Sequence, residues 1–205
     1  MSSKPYHHGD LKSALVDAAC NLLKEKGADA LSLRAIAAEV GVSHMAPYTH
    51  FKNKKELLQA VAAAGFDDLT EQLLKVKSQY NSPWELVLNY GVEYVEFAVA
   101  NPEIYRLMLS QVDTGGRRNK VKPEVGQGKA DVSPLLGLST QKPFKILRAA
   151  FEKADMDAIH ITARALSAWS MVHGMSALII DGYMSVPEGM SIREFFNMAV
   201  SPRMM

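Results

Sequence analysis

Between Ser32 and Phe51 the chain reads SLRAIAAEVGVSHMAPYTHF, and no other stretch limits the fold so tightly. Leu33, Ile36, Ala37 and Val40 recur at i, i+3, i+4 and i+7, which lays one apolar stripe along a short helix and turns Arg34 and Glu39 away from it. Ser32 stands where an N-cap belongs, and Gly41 supplies the left-handed residue that ends the helix. Val42 then fills the corner, and Ser43 is placed to cap a second short helix. The expected unit is a helix-turn-helix.

The second helix carries His44, Met45, Tyr48, Thr49 and His50, side chains able to meet base edges, methyl groups and phosphates in a major groove. No acidic residue falls between 43 and 55, whereas Lys52, Lys54 and Lys55 follow the helix and would attract a phosphate backbone. Residues 1–55 hold seven Lys and one Arg against five acids, while residues 56–205 hold fifteen basic and seventeen acidic groups. A basic head on a slightly acidic body predicts two domains, 1–55 for binding duplex DNA and 56–205 for another task. Leu11, Leu15, Ala18, Ala19 and Leu22 give the head a further helix, with Asp10 as its cap and Gly27 as its end. Asn53 followed by Glu56 predicts a capping box at the start of the next helix. Lys4, Tyr6, His7 and His8 form either a DNA-contacting arm or a disordered terminus, and for the two histidines disorder is the preferred reading.

These residues resemble the N-terminal DNA-binding domain of the tetracycline-repressor (TetR) family of bacterial transcription regulators over residues 11–66. The resemblance rests on Gly41-Val42-Ser43, then Tyr48, His50 and Phe51, then Lys54 and Leu57. It implies phosphate contacts from Ser32, Ser43, Tyr48, His50 and Lys54, with Arg34, His44, Met45 and Thr49 nearest the bases. Pro47 departs from the family's usual Leu or Ile and, lacking an N–H, is expected to distort the first turn of the recognition helix. Tyr6-His7-His8-Gly9-Asp10-Leu11 and the Trp169-x-x-x-His173-Gly174 pattern are similar to one branch of the same family.

Beyond Phe66 the periodicity is helical and no period-two run appears, so an all-α body is expected. Residues 113–134, with four Gly and two Pro, predict a long mobile loop whose Arg117, Arg118, Lys120 and Lys122 are better read as solvated than as a nucleic-acid patch. A helix over about 157–183 is apolar on two faces, which requires two partners: its own core and, as we read it, the same helix of a second copy. The expected seam comprises Ala163, Ala168, Trp169, Val172, Gly174, Met175, Ser176 and Ile179, joined by Phe195. The family resemblance also implies a small-molecule effector, usually an inducer that releases a repressor from a palindromic operator. Tyr90, Tyr94, Phe97, Tyr105, Met108, Met171 and His173 are the candidate lining, because aromatics and Met at helical spacing suit an adaptable apolar pocket. For any one of them ordinary core packing is the commoner role, and for His173 a satisfied core position is preferred to ligand contact.

Other classes fit poorly. Cys20 has no partner for an internal disulfide, and Leu166–Ile180, the most apolar segment, is cut by Ser167, Ser170, His173 and Ser176, so no membrane span is expected. With no secretory signal read either, the expected compartment is the cytoplasm. His160 and His173 lie too far apart in sequence to aim at one ion from one helix, and no Gly-rich phosphate loop occurs. No cofactor, metal or enzymatic activity is expected. A nonspecific architectural DNA binder is the nearest rival to a sequence-specific regulator.

Overall fold

A computed structural model of the chain describes residues 11–109, 141–154 and 158–200. The N-terminal arm, the Asp10 cap and the 113–134 segment lie outside the described residues. The described helices are α1 (Leu11–Lys26), α2 (Leu33–Val40), α3 (Lys54–Lys77), α4 (Pro83–Ala100), α5 (Pro102–Leu109), α6 (Gln141–Glu152), α7 (Ala158–Ile180) and α8 (Ile192–Ala199). Two 3₁₀ turns, Ala28–Ala30 and Ala46–Thr49, stand before α2 and before α3. Among the described residues there is no strand, so the fold is all-α as expected.

The chain divides into two compact units, Met1–Gly65 with Glu103–Val112, and Phe66–Pro102 with Asp113–Met205. The sequence pattern divides it at 55/56, where the local composition changes. The first unit additionally takes in the opening turns of α3 and all but the first residue of α5. Its core is made by Leu15, Ala19 and Leu23 of α1, Leu31, Ile36 and Ala37 around α2, Phe51, and Leu57 and Val61 of α3, all at most 2% exposed. Truncating one such Leu to Ala costs about 2–5 kcal/mol. Gly65 lets α3 and α5 touch: a Cβ there would sit 2.7 Å from Ile104 Cγ2 and 2.8 Å from Met108 Sδ.

In the second unit α4 packs on α6, α7 and α8, and α6 packs on α7. Its apolar residues include Leu86, Val92, Val95 and Phe97 of α4, Phe144 and Phe151 of α6, Ile161, Ala165 and Trp169 of α7, and Phe196 of α8. Ser82 caps α4 by accepting from the Glu85 N–H, with Pro83 at the first helical position where no N–H is needed. A capping box starts α8: Ser191 Oγ accepts from Glu194 N–H at 3.2 Å, and Glu194 Oε2 accepts from Ser191 N–H at 2.8 Å. Phe196 lies so close over Gly91 that any Cβ there would enter its ring. This contact seats α8 on α4.

Candidate nucleic-acid interface and ligand cavity

The interface begins with the cap of α2. Ser32 Oγ accepts from Ala35 N–H at 3.1 Å, as its N-cap position predicts. At the other end Gly41 takes φ 75° and ψ 30°, and Val42 N–H donates to Ala37 O at 2.9 Å while Gly41 N–H reaches Ala38 O at 3.2 Å. This closure satisfies the last carbonyls of α2 and turns the chain sharply.

The following element is not the capped helix expected from Ser43. It is the 3₁₀ turn Ala46–Thr49, and no side chain caps it. Ser43 contributes its carbonyl, which accepts from Ala46 N–H at 2.9 Å, while Met45 O accepts from Tyr48 N–H at 3.1 Å and Pro47 O from His50 N–H at 3.0 Å. The cause is Pro47: with no N–H it cannot make the four-residue bond back to Ser43, and the chain closes over three residues instead.

That proline also anchors the turn. Pro47 and Phe51 are buried, whereas Met45 is 60% and Tyr48 46% exposed, a large apolar and aromatic pair held outward on a rigid base. All nine expected DNA contacts, Ser32, Arg34, Ser43, His44, Met45, Tyr48, Thr49, His50 and Lys54, are exposed. Two carry structural work that their spacing did not reveal. Thr49 Oγ1 donates to Ala46 O at 2.7 Å, leaving its oxygen to accept. Lys54 Nζ donates to Ala28 O at 3.0 Å, tying the start of α3 to the α1–α2 connection and leaving two protons outward. The expected box at α3 forms with a shifted partner: Asn53 Oδ1 accepts from Glu56 N–H at 3.0 Å, but Glu56 Oε2 accepts from Lys52 N–H at 2.7 Å rather than from Asn53. Glu56 is thereby held at the backbone beside Lys52 and Lys55.

A second feature lies wholly within the second unit. A cavity of about 780 Å³ is walled by α4, α6, α7 and α8. Tyr90, Tyr94 and Met171 of the expected effector group line it, together with Trp84, Phe151, Trp169 and Phe196. Phe97, Tyr105 and Met108 do not: Phe97 is packed in the core of its unit, and Tyr105 and Met108 belong to the first unit. His173 stands behind the wall. Its Nδ1–H donates to Trp169 O at 2.8 Å, which fixes the tautomer and leaves Nε2 to accept from the Tyr94 hydroxyl at 3.0 Å. Tyr94, Trp169 and His173 cluster together, Tyr94 meeting Trp169 edge to face with centroids 5.5 Å apart and Trp169 and His173 tilted against each other at 4.5 Å. Burial pushes the His173 imidazole below its ordinary value, against a smaller opposing pull from the Trp169 carbonyl.

Of the residues expected at a subunit seam, Trp169, Val172, Met175 and Ser176 are buried inside their own unit, and Trp169, Val172, Ala163 and Ala168 line the cavity. Within the single chain the apolar spacing of the four buried ones packs them against their own unit. Gly174 and Ala163 are exposed, Ala168, Ile179 and Phe195 half-buried. The exposed face of α7 runs through Ala163, Arg164, Ser167, Ser170, Met171, Gly174 and Leu178, and its first part, Ala163, Arg164, Ser167 and Met171, also lines the cavity. Trp84 and Arg164 at the cavity gave no signal in the sequence. Trp84 looks like a helix-start residue, and Arg164 is a lone cation in a run of small and apolar ones.

Among the described residues no helix is long and apolar enough to cross a membrane, and no group of potential metal ligands gathers.

Comparisons with known proteins agree with this geometry. Residues 15–61 match the family described as "Bacterial regulatory proteins, tetR family", and residues 87–201 match "Tetracyclin repressor-like, C-terminal domain". The HTH-type nicotine-responsive transcriptional repressor HdnoR of Paenarthrobacter nicotinovorans is 39% identical over 66 residues, 32% of each chain. The class A tetracycline repressor protein from Escherichia coli transposon 1721 is 44% identical over 52 residues, 25% of this chain and 24% of that one. The chain therefore spans a third or less of the length of these two curated relatives. A Rhodococcus sp. RHA1 structure of unknown function superposes with a TM-score of 0.70 at 30% identity, covering 96% of this chain and 95% of that one.

Proposed function

Because the chain belongs to the TetR family of bacterial regulatory proteins, we propose that it is a sequence-specific, DNA-binding transcriptional repressor that leaves its operator when a small molecule fills the second unit. The observation that carries this reading is the outward presentation of Met45 and Tyr48 on a turn anchored by Pro47 and Phe51, flanked by Lys52, Lys54 and Lys55. The exposed side chains suit base and methyl contacts, while the lysines suit phosphates.

In this reading the protein works in the cytoplasm as a homodimer and catalyses nothing. Two copies joined through the exposed Gly174 and Leu178 end of α7 and through α8 read a palindrome whose half-sites lie about 34 Å, or a multiple of it, apart. The cavity takes the effector, whose leverage on DNA affinity equals its preference for the nonbinding state. Selecting duplexes from a random pool tests the first half, and screening metabolites for release of the selected duplex tests the second. Enrichment of one palindrome, preferred roughly a thousandfold over random DNA, is expected. Equal affinity for all duplexes would instead mark an architectural binder.

A further inference from the structure

The lining of the cavity is chemically lopsided. Trp84, Tyr90, Tyr94, Phe151, Trp169 and Phe196 supply six aromatic rings, and the aliphatic lining fills the space between them. Among the described residues Arg164 is the one permanently charged group on the wall, and no Asp or Glu lines it. Its side chain is exposed, and among the described residues neither an ion pair nor a hydrogen bond engages it. A guanidinium at the edge of a large apolar cavity offers an incoming molecule a planar fork of donors matched to a carboxylate.

The dimensions narrow the ligand further. Trp84 and Tyr94 are ten residues apart on α4, about 15 Å along the axis. Arg164 precedes Trp169 by five residues on α7, about 7–8 Å. Trp84 meets Phe151 edge to face, with centroids 6.2 Å apart, and is 53% exposed, whereas Tyr94 and Trp169 are buried. The cavity thus has a buried aromatic end at Tyr94 and Trp169 and is open at Trp84 and along the exposed Ala163, Arg164, Ser167 and Met171 of α7. Its volume of about 780 Å³ lies in the range of sites for drug-sized molecules.

Building on the effector reading above, we propose that the cavity takes an aromatic or otherwise flat apolar molecule bearing one anionic group, and that Arg164 is the residue that selects for the anion. A cationic ligand would meet Arg164 and find no carboxylate on the described wall. A neutral apolar ligand would gain from burial alone.

The chain's two tryptophans, Trp84 and Trp169, both line the cavity, so quenching of intrinsic fluorescence reads its occupancy directly. Three probes of one shape separate the possibilities in the full-length protein: 1-naphthoate, 1-naphthylmethanol and 1-naphthylmethylammonium. The expected order is anion over alcohol over cation, with naphthoate roughly three- to fivefold tighter than the alcohol, as suits an exposed cation. Added salt should shrink that margin, and R164Q should bring naphthoate to the alcohol's affinity. Equal binding of the three probes, or an anion preference that survives R164Q, overturns the anion assignment and leaves the cavity an effector site of another selectivity. If no probe quenches at all, or quenching fades as protein concentration rises because a second copy fills the cavity, the effector reading itself fails.

Discussion

The Tyr94 hydroxyl lies 3.0 Å from His173 Nε2, while the other ring nitrogen of His173 is held by the Trp169 carbonyl. The carbonyl can only accept, so Nδ1 carries the proton and the phenol donates to Nε2. Both nitrogens are therefore satisfied in the neutral ring, and protonation would require the phenol to turn its oxygen toward Nε2–H and give up its own donation there.

This arrangement predicts an acid limb in stability. Burial holds the folded His173 below its ordinary value of 6.5, so the unfolded chain binds that proton more readily. The contribution is complete above about pH 6.5 and is lost as pH falls toward the lower folded value. Denaturant midpoints measured from pH 8 to pH 5 should fall below about pH 6.5. H173Q should show a weaker dependence over that window, and an unchanged slope would show that the histidine does not titrate with folding.

Phosphate and base contacts should separate by mutation. Y48F and K54A are expected to weaken binding to every duplex, and K54A should also reduce the salt dependence of binding by about one unit of log–log slope. H44A should change which base is preferred and leave nonspecific affinity near its native level. Because Lys54 also holds Ala28 O, thermal melting of K54A accompanies the binding titration. Loss of binding with a native melting curve identifies the DNA contact.

Replacing Pro47 should lengthen the recognition turn. P47L restores the N–H that can reach Ser43 O, so the 3₁₀ turn should extend toward an α-helix and the side chains at 44, 45 and 48 should swing relative to one another. Selection from random DNA with P47L is expected to return a different operator. An identical operator at equal affinity would mean that the turn is reshaped on DNA in both forms.

Packing at the two buried glycines leaves no room. G91A must displace the Phe196 ring, and overpacking of this kind costs about 1–3 kcal/mol. Calorimetry or urea unfolding should show the loss. By contrast Gly174 is exposed, with nothing within 4 Å of the place a Cβ would occupy, so G174R should leave the monomer's fold intact. If the exposed face of α7 is the seam, G174R sediments as a monomer where the native chain sediments as a dimer.

Local signals in the sequence carried far. Helix α2 was legible entire, because Ser32, the i, i+3, i+4, i+7 stripe and Gly41 each act within a few residues of one another. The recognition element was legible in place and not in form: one imino acid at 47 decides between α and 3₁₀ closure, and apolar periodicity carries no record of that. The cavity was only partly legible. Tyr90, Tyr94 and Phe97 share the same helical spacing, yet Phe97 packs into the core of its unit while the tyrosines face a void. Which of them meets empty space depends on how α6, α7 and α8 close around α4, a long-range outcome. Trp169 and Val172, buried within the single chain, show the same limit, since an apolar stripe reads alike whether its partner is another subunit or the chain's own core.

The most direct test of the account is a hydroxyl-radical footprint of the native protein on its selected operator, at low and at physiological salt. Two equal protected patches, related by the operator's twofold axis and centred about 34 Å or a multiple of it apart, are the result predicted for paired heads gripping successive major grooves through Met45 and Tyr48. A single patch, uniform protection, or no protection at low salt would contradict it.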